Sequence, residues 1–546
     1  MDYEIQGTVY GNSMNSTDIP FLENKMIDPT SVSMKLRTLD DLPAELLLEI
    51  LSYISSSRSA YNDNMLRPDP MIRERGKYVG NPANPNAELW SLCLTNRYLN
   101  YVSEPVLYQE FHHALWESPA LIYFLRTIIR RPHLAGHVKR VSLDYLNLFK
   151  AFDTLWDRLA APTTLLVDKD DIQLFLQTAR QSLLMSRVNE TRISKLEDSA
   201  LVLLLFSQAS NLRELHYNVS GNLLTQASTD LINTALWNML VFDSKELEVF
   251  PFSSLKKVSL SYVNADEGSS HETGGFPLNR ASAWLFLPSV ESLELFRCTL
   301  GRFRPRSMLI NSSGRTYDRL HVHRRLPSAL SAASLTSITF RDSIVDPDAL
   351  YDMLSNCKSL KSFDLEWSSR HVDYDRVGRA LRTQKHSLET LRLNASKAIH
   401  DYCPAIEEIE YRVDSLGSLH DFKKLSFIDV PGLAITGWRI PLRLDETLPP
   451  NIQTLKIQSL GLSPLYQIGE LGCVAPERFR SLRLIEVGVW ELQLADYLMV
   501  NGVEFFAKQG VNLVITKLTD PSKYASGFNA GPLARLPPSL LKLMGI

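Results

Sequence analysis

Nowhere does this chain string together enough apolar residues to cross a bilayer. Its longest strongly apolar run, ALVLLLF at 200–206, is far too short. Cysteine is scarce as well. The five, at 93, 298, 357, 403 and 473, are odd in number and dispersed, with no C-x-x-C, which argues against a disulfide framework or a zinc site and for a reducing compartment. A formal net charge of −3 leaves no dominant basic surface, so nucleic acid is not an expected partner. Residues 1–20 lack a basic start followed by an apolar core, so a secretory leader is not expected. Missing too are the G-x-x-x-x-G-K-[ST] loop, a G-x-G-x-x-G after a strand, the G-x-S-x-G elbow and H-E-x-x-H. His321 and His323 alternate and His112 and His113 adjoin, but neither pair has Cys or carboxylate at metal-ligand spacing. These absences lead us to expect a soluble protein of the cytoplasm or nucleus that is not an enzyme. They call for no cofactor, no metal and no membrane.

What is present is a long, ordinary globular composition. At 546 residues, with 45% hydrophobic and 22% charged residues, the chain exceeds one typical domain and can bury a large core. Residues 39–54, LDDLPAELLLEILSYI, read as a short helix with a marked start. Pro43 suits a first helical turn, and Asp40, Asp41 and Glu45 suit the positive end of the helix dipole. Leu46, Leu47, Ile50, Leu51 and Ile54 recur at three- and four-residue spacing, which gives one broad apolar stripe. Further on, Leu89, Leu92 and Cys93 predict a second helix, and Tyr98, Tyr101 and Val102 a third, halted by Pro105. On periodicity alone these are core helices.

Together, however, the two pieces resemble an F-box, the three-helix module by which ubiquitin-ligase subunits attach to a Skp-family adaptor. The family pattern begins Leu-Pro-x-Glu-Leu/Ile and continues through Ile-Leu-x-x-Leu, and Leu42, Pro43, Glu45, Leu46, Ile50, Leu51 and Ile54 fall on it. Its second half is matched by Tyr98, Tyr101, Val102, Ser103, Glu104, Pro105, Leu107 and Tyr108. Tyrosine stands for tryptophan at two of these places and for leucine at Tyr101. A larger departure is the insertion 55–87, where the family has a short turn. The resemblance implies adaptor contacts from Leu42, Pro43, Leu46, Ile50, Leu51, Leu89, Leu92, Tyr98, Val102 and Pro105.

Residues 1–36 are polar and aperiodic, and read as a disordered tail. The insertion 55–87, rich in Asn, Pro, Arg and Ser, reads as a surface excursion. From about 113 onward a phrase of the type L-x-x-L-x-L recurs. It stands at 138–143, 212–217, 255–260, 290–295, 335–340, 360–365, 388–393 and 452–457, with looser copies at 425–430 and 482–487 and a closing VNLVI at 511–515. Each phrase ends in strict alternation, the mark of a short strand with one buried face. Helical patterns fill the intervals, as at 347–357 and 374–384. Between 143 and 212 two helical stretches, 170–186 and 195–210, replace the phrase, so that one repeat is either elaborated or degenerate there. Two polar segments, 264–281 and the basic 301–327, read as protruding loops.

Strand, helix, strand in parallel register makes a solenoid, and this region resembles the irregular leucine-rich-repeat domains of many fungal F-box proteins. The expected fold is thus α/β. An F-box domain over 37–112 is followed by a leucine-rich-repeat solenoid over 113–546, with a parallel concave sheet and outer helices. Residues between the buried leucines should point from the concave face. Glu294, Phe296, Arg341, Asp364, Glu366, Arg392, Asn394 and Lys456 are the candidates for binding a protein substrate, although a plain solvated face fits the same pattern. The resemblance implies the substrate-recognition adaptor of a Skp–cullin–F-box ubiquitin ligase. An F-box protein acting outside a ligase, and a repeat scaffold with no ubiquitin role, are the alternatives.

Overall fold

The computed structural model describes residues 42, 44–51, 87–114, 118–144, 168–182, 185, 190–220, 232–236, 240, 252–263, 276–277, 282–300, 334–367, 372–394, 415–437, 442–458, 462–489 and 502–517. The tail 1–36, Pro43, the insertion except Ala87, the loop 301–327, almost all of 264–281, and His321 and His323 lie outside them. The chain divides into two compact units, Met1–Ser103 and Glu104–Ile546.

In the first unit, residues 44–51 form helix α1, Ala87–Thr95 form α2, and α3 begins at Arg97. Helix α3 does not stop at Pro105 as expected but runs to Leu107, with the Tyr108 amide still donating to the Glu104 carbonyl at 3.1 Å. A proline so near a helix end removes one donor, and the last turn closes around it. Leu47 and Leu51, four apart, and Leu99 and Val102, three apart, are buried along with Leu89. The Tyr98 hydroxyl donates to the Leu42 carbonyl at 3.3 Å, which ties the third helix to the start of the first.

The second unit is mixed α/β. Among the described residues twelve strands stand side by side in chain order, every pairing parallel. They are β1 Glu110–Ala114, β2 Arg140–Asp144, β3 Glu214–Ser220, β4 Lys257–Val263, β5 Ser292–Phe296 and β6 Ser337–Val345. Then come β7 Ser362–Trp367, β8 Thr390–Asn394, β9 Phe427–Pro431, β10 Thr454–Gln458, β11 Leu484–Val489 and β12 Asn512–Lys517. Every copy of the recurring phrase, strict or loose, is one of these strands. Short strands Phe276–Pro277 and Cys298–Leu300 pair beside them.

One backbone contact repeats from strand to strand. From β2 to β11 two successive amides at the strand's start share a single carbonyl one strand earlier: Lys361 and Ser362 donate to Thr336, Glu389 and Thr390 to Lys361, and Ser426 and Phe427 to Glu389. The first leucine of the phrase closes a turn just before, as Leu255 does on Phe252 and Leu425 on Phe422. With entry fixed, alternation sorts the side chains. Phe363, Leu391, Ile428, Leu455 and Ile485 lie directly opposite one another in one row, and all are fully buried. The six positions Leu360, Phe363, Leu365, Leu388, Leu391 and Leu393 are buried as the pattern predicts.

Helices fill the intervals where expected. Lys169–Gln181 (α4) and Asp198–Gln208 (α5) lie between β2 and β3, which pair directly, so this interval is an elaborated connection. Pro347–Ser355 (α6) begins with Asp346 accepting from the Asp348 and Ala349 amides, and Pro347 occupies the first turn. Tyr374–Arg382 (α7) is capped by Asp373 and packs closely enough that only glycine fits at 378: a Cβ there would stand 2.0 Å from the Leu416 carbonyl oxygen. Leu350, Leu354 and Leu381 from these helices join the strands' inward residues in one continuous core. Between the repeats, buried Gln384 donates to the Leu354 and Cys357 carbonyls at 2.7 and 2.9 Å and accepts from the Leu360 amide.

Strand β1 carries no phrase of the expected type, and it spans the point where the sequence pattern changed from one module to the next. Its inward residues are Phe111 and His113, the latter opposite Leu143 and fully buried. Burial, and secondarily the charge on neighbouring His112, pushes His113 down to about 4. The unfolded chain takes up this proton near 6.5 and the folded chain only near 4, so stability falls as pH drops through that interval. The loss amounts to roughly 3 kcal/mol. His113→Leu, which gives β1 the residue β2 has there, should remove this share of the acid sensitivity. Denaturant unfolding at neutral pH and near pH 4.5 measures it, and an undiminished acid loss in the variant would contradict the burial of that imidazole.

Candidate interaction surfaces

The first unit carries apolar side chains that its own core does not use. Of ten large hydrophobic residues exposed among the described residues, seven belong to it: Leu46, Leu48, Ile50, Trp90, Leu94, Tyr98 and Tyr101. Geometry explains their arrangement. Leu46 and Ile50 are four apart, offset by one residue from the buried Leu47 and Leu51. Trp90 and Leu94 are four apart, offset by one from buried Leu89, and Tyr98 and Tyr101 are offset by one from Leu99 and Val102. Each helix thus has two adjacent apolar stripes, one buried and one facing out. Leu94 is 76% exposed and Tyr101 80%, which no isolated unit gains by leaving in water.

The adaptor-contact residues named from the sequence divide accordingly. Leu46, Ile50 and Tyr98 are exposed; Leu42, Leu92 and Pro105 are half-buried; Leu51, Leu89 and Val102 are buried. The buried three hold the helices in place and offer no outer surface. Leu48, Trp90, Leu94 and Tyr101 were not named, although the four-residue spacing of Trp90 and Leu94 is legible as a second stripe.

On the sheet, the residues between the buried ones share the opposite, polar face. One row runs His112, Ser142, His216, Ser259, Glu294, Thr339, Asp364, Arg392, Asp429, Lys456, Glu486 and Val514, each opposite the next. Its first part is neutral and its second part alternates in charge. Lys257 reaches Glu294 at 3.5 Å, and Lys456 pairs with Glu486. Arg140, in the adjoining row, meets Glu214 at 2.7 and 3.0 Å and Glu110 at 3.6 Å. His216, 3.8 Å from Glu214, and the Arg140 guanidinium hold the Glu214 carboxyl down to about 2. At 3.8 Å the imidazole is beyond hydrogen-bond length, so Arg140 is the firmer partner.

Seven of the eight substrate-contact residues named from the sequence lie on this face with half-buried or exposed side chains: Glu294, Phe296, Arg341, Glu366, Arg392, Asn394 and Lys456. Asp364 departs from expectation. It is only 6% exposed, and Arg341 grips it at 2.7 and 3.3 Å while standing 3.9 Å from Glu366. A register shift between Phe340 and Ser343 in β6, with Asp342 at φ 48°, breaks the alternation beside Arg341. Burial raises the Asp364 carboxyl above its ordinary range, and Arg341 opposes the rise. Sequence reasoning also passed over Phe427, Asp429 and Glu486, outward residues of the two looser phrases.

Among the described residues no three His, Cys, Asp or Glu side chains are grouped to hold a metal, and no helix is long and apolar enough to cross a membrane. No protein-family model matches the chain, and no curated protein matches it.

Arg341→Ala should destabilise the fold by about 1–2 kcal/mol, because it strips a buried carboxylate of its charged donor while solvent screens part of the pair. A carboxyl whose folded pKa is raised loses stability as pH rises through that value, so the deficit should be largest near neutrality and shrink on acidification. Thermal unfolding across pH tests this, and a deficit independent of pH would show that Arg341 acts through packing alone.

Proposed function

We propose that this chain is a substrate-recognition adaptor of a Skp–cullin–F-box ubiquitin ligase. Its N-terminal helices dock on a Skp-family adaptor, and its repeats, a leucine-rich-repeat solenoid with the polar row on the concave side, select a protein substrate. One observation carries the reading: the outer apolar stripe on all three helices of the first unit, which on the first and third coincides with the F-box pattern at Leu46, Ile50, Tyr98 and Tyr101. A partner that covers Leu46, Ile50, Trp90 and Leu94 removes from water a surface that a self-sufficient cap would have made polar. Ubiquitin transfer on this reading belongs to the cullin–RING partners. The chain supplies two binding surfaces, one for the ligase and one for what the ligase modifies.

Leu46→Ala combined with Ile50→Ala should weaken binding to a purified Skp-family adaptor by about tenfold or more, since exposed anchors of this size contribute on the order of 1–2 kcal/mol each at an interface. The unfolding temperature of the sheet should not move. Calorimetric titration of the adaptor into wild type and double variant decides it. Equal affinity, or no binding by either, would sink the ligase reading and favour a scaffold whose helices serve another contact.

A further inference from the structure

Five neighbouring strands place Asp364, Arg392, Asp429, Lys456 and Glu486 directly opposite one another on the polar face. Their signs alternate, and most are engaged within the sheet: Asp364 with Arg341, Lys456 with Glu486. Two are not. Among the described residues neither Arg392 nor Asp429 makes an ion pair or a side-chain hydrogen bond, although they stand opposite each other. The reason lies two residues back along β9. The Arg392 guanidinium lies over the Phe427 ring, 4.9 Å from its centroid, which holds it off the carboxylate. A guanidinium stacked this way keeps its N–H edge free and fixed in orientation, suited to gripping a carboxylate with two bonds. Asp429 is half-buried, and burial keeps its carboxyl above the ordinary range despite Lys456 and Arg392 nearby, so it is under-compensated and would gain from a further cation.

We propose that this place on the sheet docks an unphosphorylated polypeptide segment presenting an acidic and a basic side chain close together, the acid on Arg392 and the base on Asp429. The inference rests on the reading of this face as the substrate platform and names the class of substrate. The surrounding charges disfavour a phosphate. The free cation has a carboxylate on each side, Asp364 and Asp429, so a group carrying about two negative charges would gain one partner and meet two repulsions. A side-chain carboxylate carries half that charge and brings its own cation with it.

The test is a random peptide library displayed on phage and panned against the purified full-length chain, followed by fluorescence anisotropy on synthetic peptides of the enriched sequences. The enriched sequences should share an Asp or Glu beside or near a Lys or Arg. Arg392→Glu should lower affinity for such a peptide about tenfold, and exchanging the peptide's acid for lysine should restore it. Asp429→Lys should show the mirror pattern. Both side chains project from the polar face, so thermal unfolding should be unchanged; Arg392→Gln replaces the reversal if that variant folds poorly. Failure to enrich any peptide, enrichment of sequences without the charge pair, affinities within about twofold after charge reversal, or tighter binding of phosphorylated versions would each overturn the proposal. Adaptor titration of the wild-type chain separates the two readings. No adaptor binding with charge-pair recognition intact removes the ligase and leaves this docking site, and adaptor binding without charge-pair recognition removes the docking site alone.

Discussion

From β2 to β11 each strand begins by giving two amides to one carbonyl of the strand before, as Lys361 and Ser362 give theirs to Thr336, and this shared contact sets everything that follows. It fixes the register at the first residue, and in an alternating strand the register decides which side chains enter the core. A slip of one residue would turn Phe363 and Leu391 to the polar face and Asp364 and Arg392 into the apolar core. The buried Leu, Val or Ile just ahead of each strand from β2 on and the close approach of helices such as Tyr374–Arg382, where glycine is required at 378, hold that register from the other side.

A sheet pinned in this way leaves its polar face free to vary, and the charges there sort by strand. The first strands carry a neutral His–Ser row beside the ion-paired Arg140 and Glu214, the later ones an alternating charged row. Within that row four of the six charges, Glu294, Asp364, Lys456 and Glu486, are satisfied by a neighbour. Arg392 and Asp429 are left over because an aromatic ring competes for the guanidinium. The helical unit uses a different principle. It doubles the apolar stripe on each helix, burying one and displaying the other, so its exposed surface is apolar where the sheet's is charged.

Much of this was legible in the sequence because leucine spacing and strand geometry are the same fact seen twice. The phrases at 360–365 and 388–393 became paired strands with the predicted residues inside. Strand β1 was missed because His113 occupies an inward position, where a pattern search looks for leucine. The burial of Asp364 was not legible either, since it depends on a register shift in β6 that brings Arg341 across to it. Local propensity placed the end of α3 at Pro105, and the chain spent one more half-turn than that rule allows. The outer stripe of Trp90 and Leu94 was written in the spacing, but residue spacing alone does not say which of two adjacent stripes is covered.

The central claim is that the exposed helical stripe, and not the sheet, meets the ligase. Hydrogen–deuterium exchange on the full-length chain, with and without a saturating Skp-family adaptor, measures that directly. The account predicts new protection confined to 44–51 and 87–103, with the strands from Glu110 to Lys517 exchanging as before. Protection on the strands instead, or none anywhere at saturation, would contradict it.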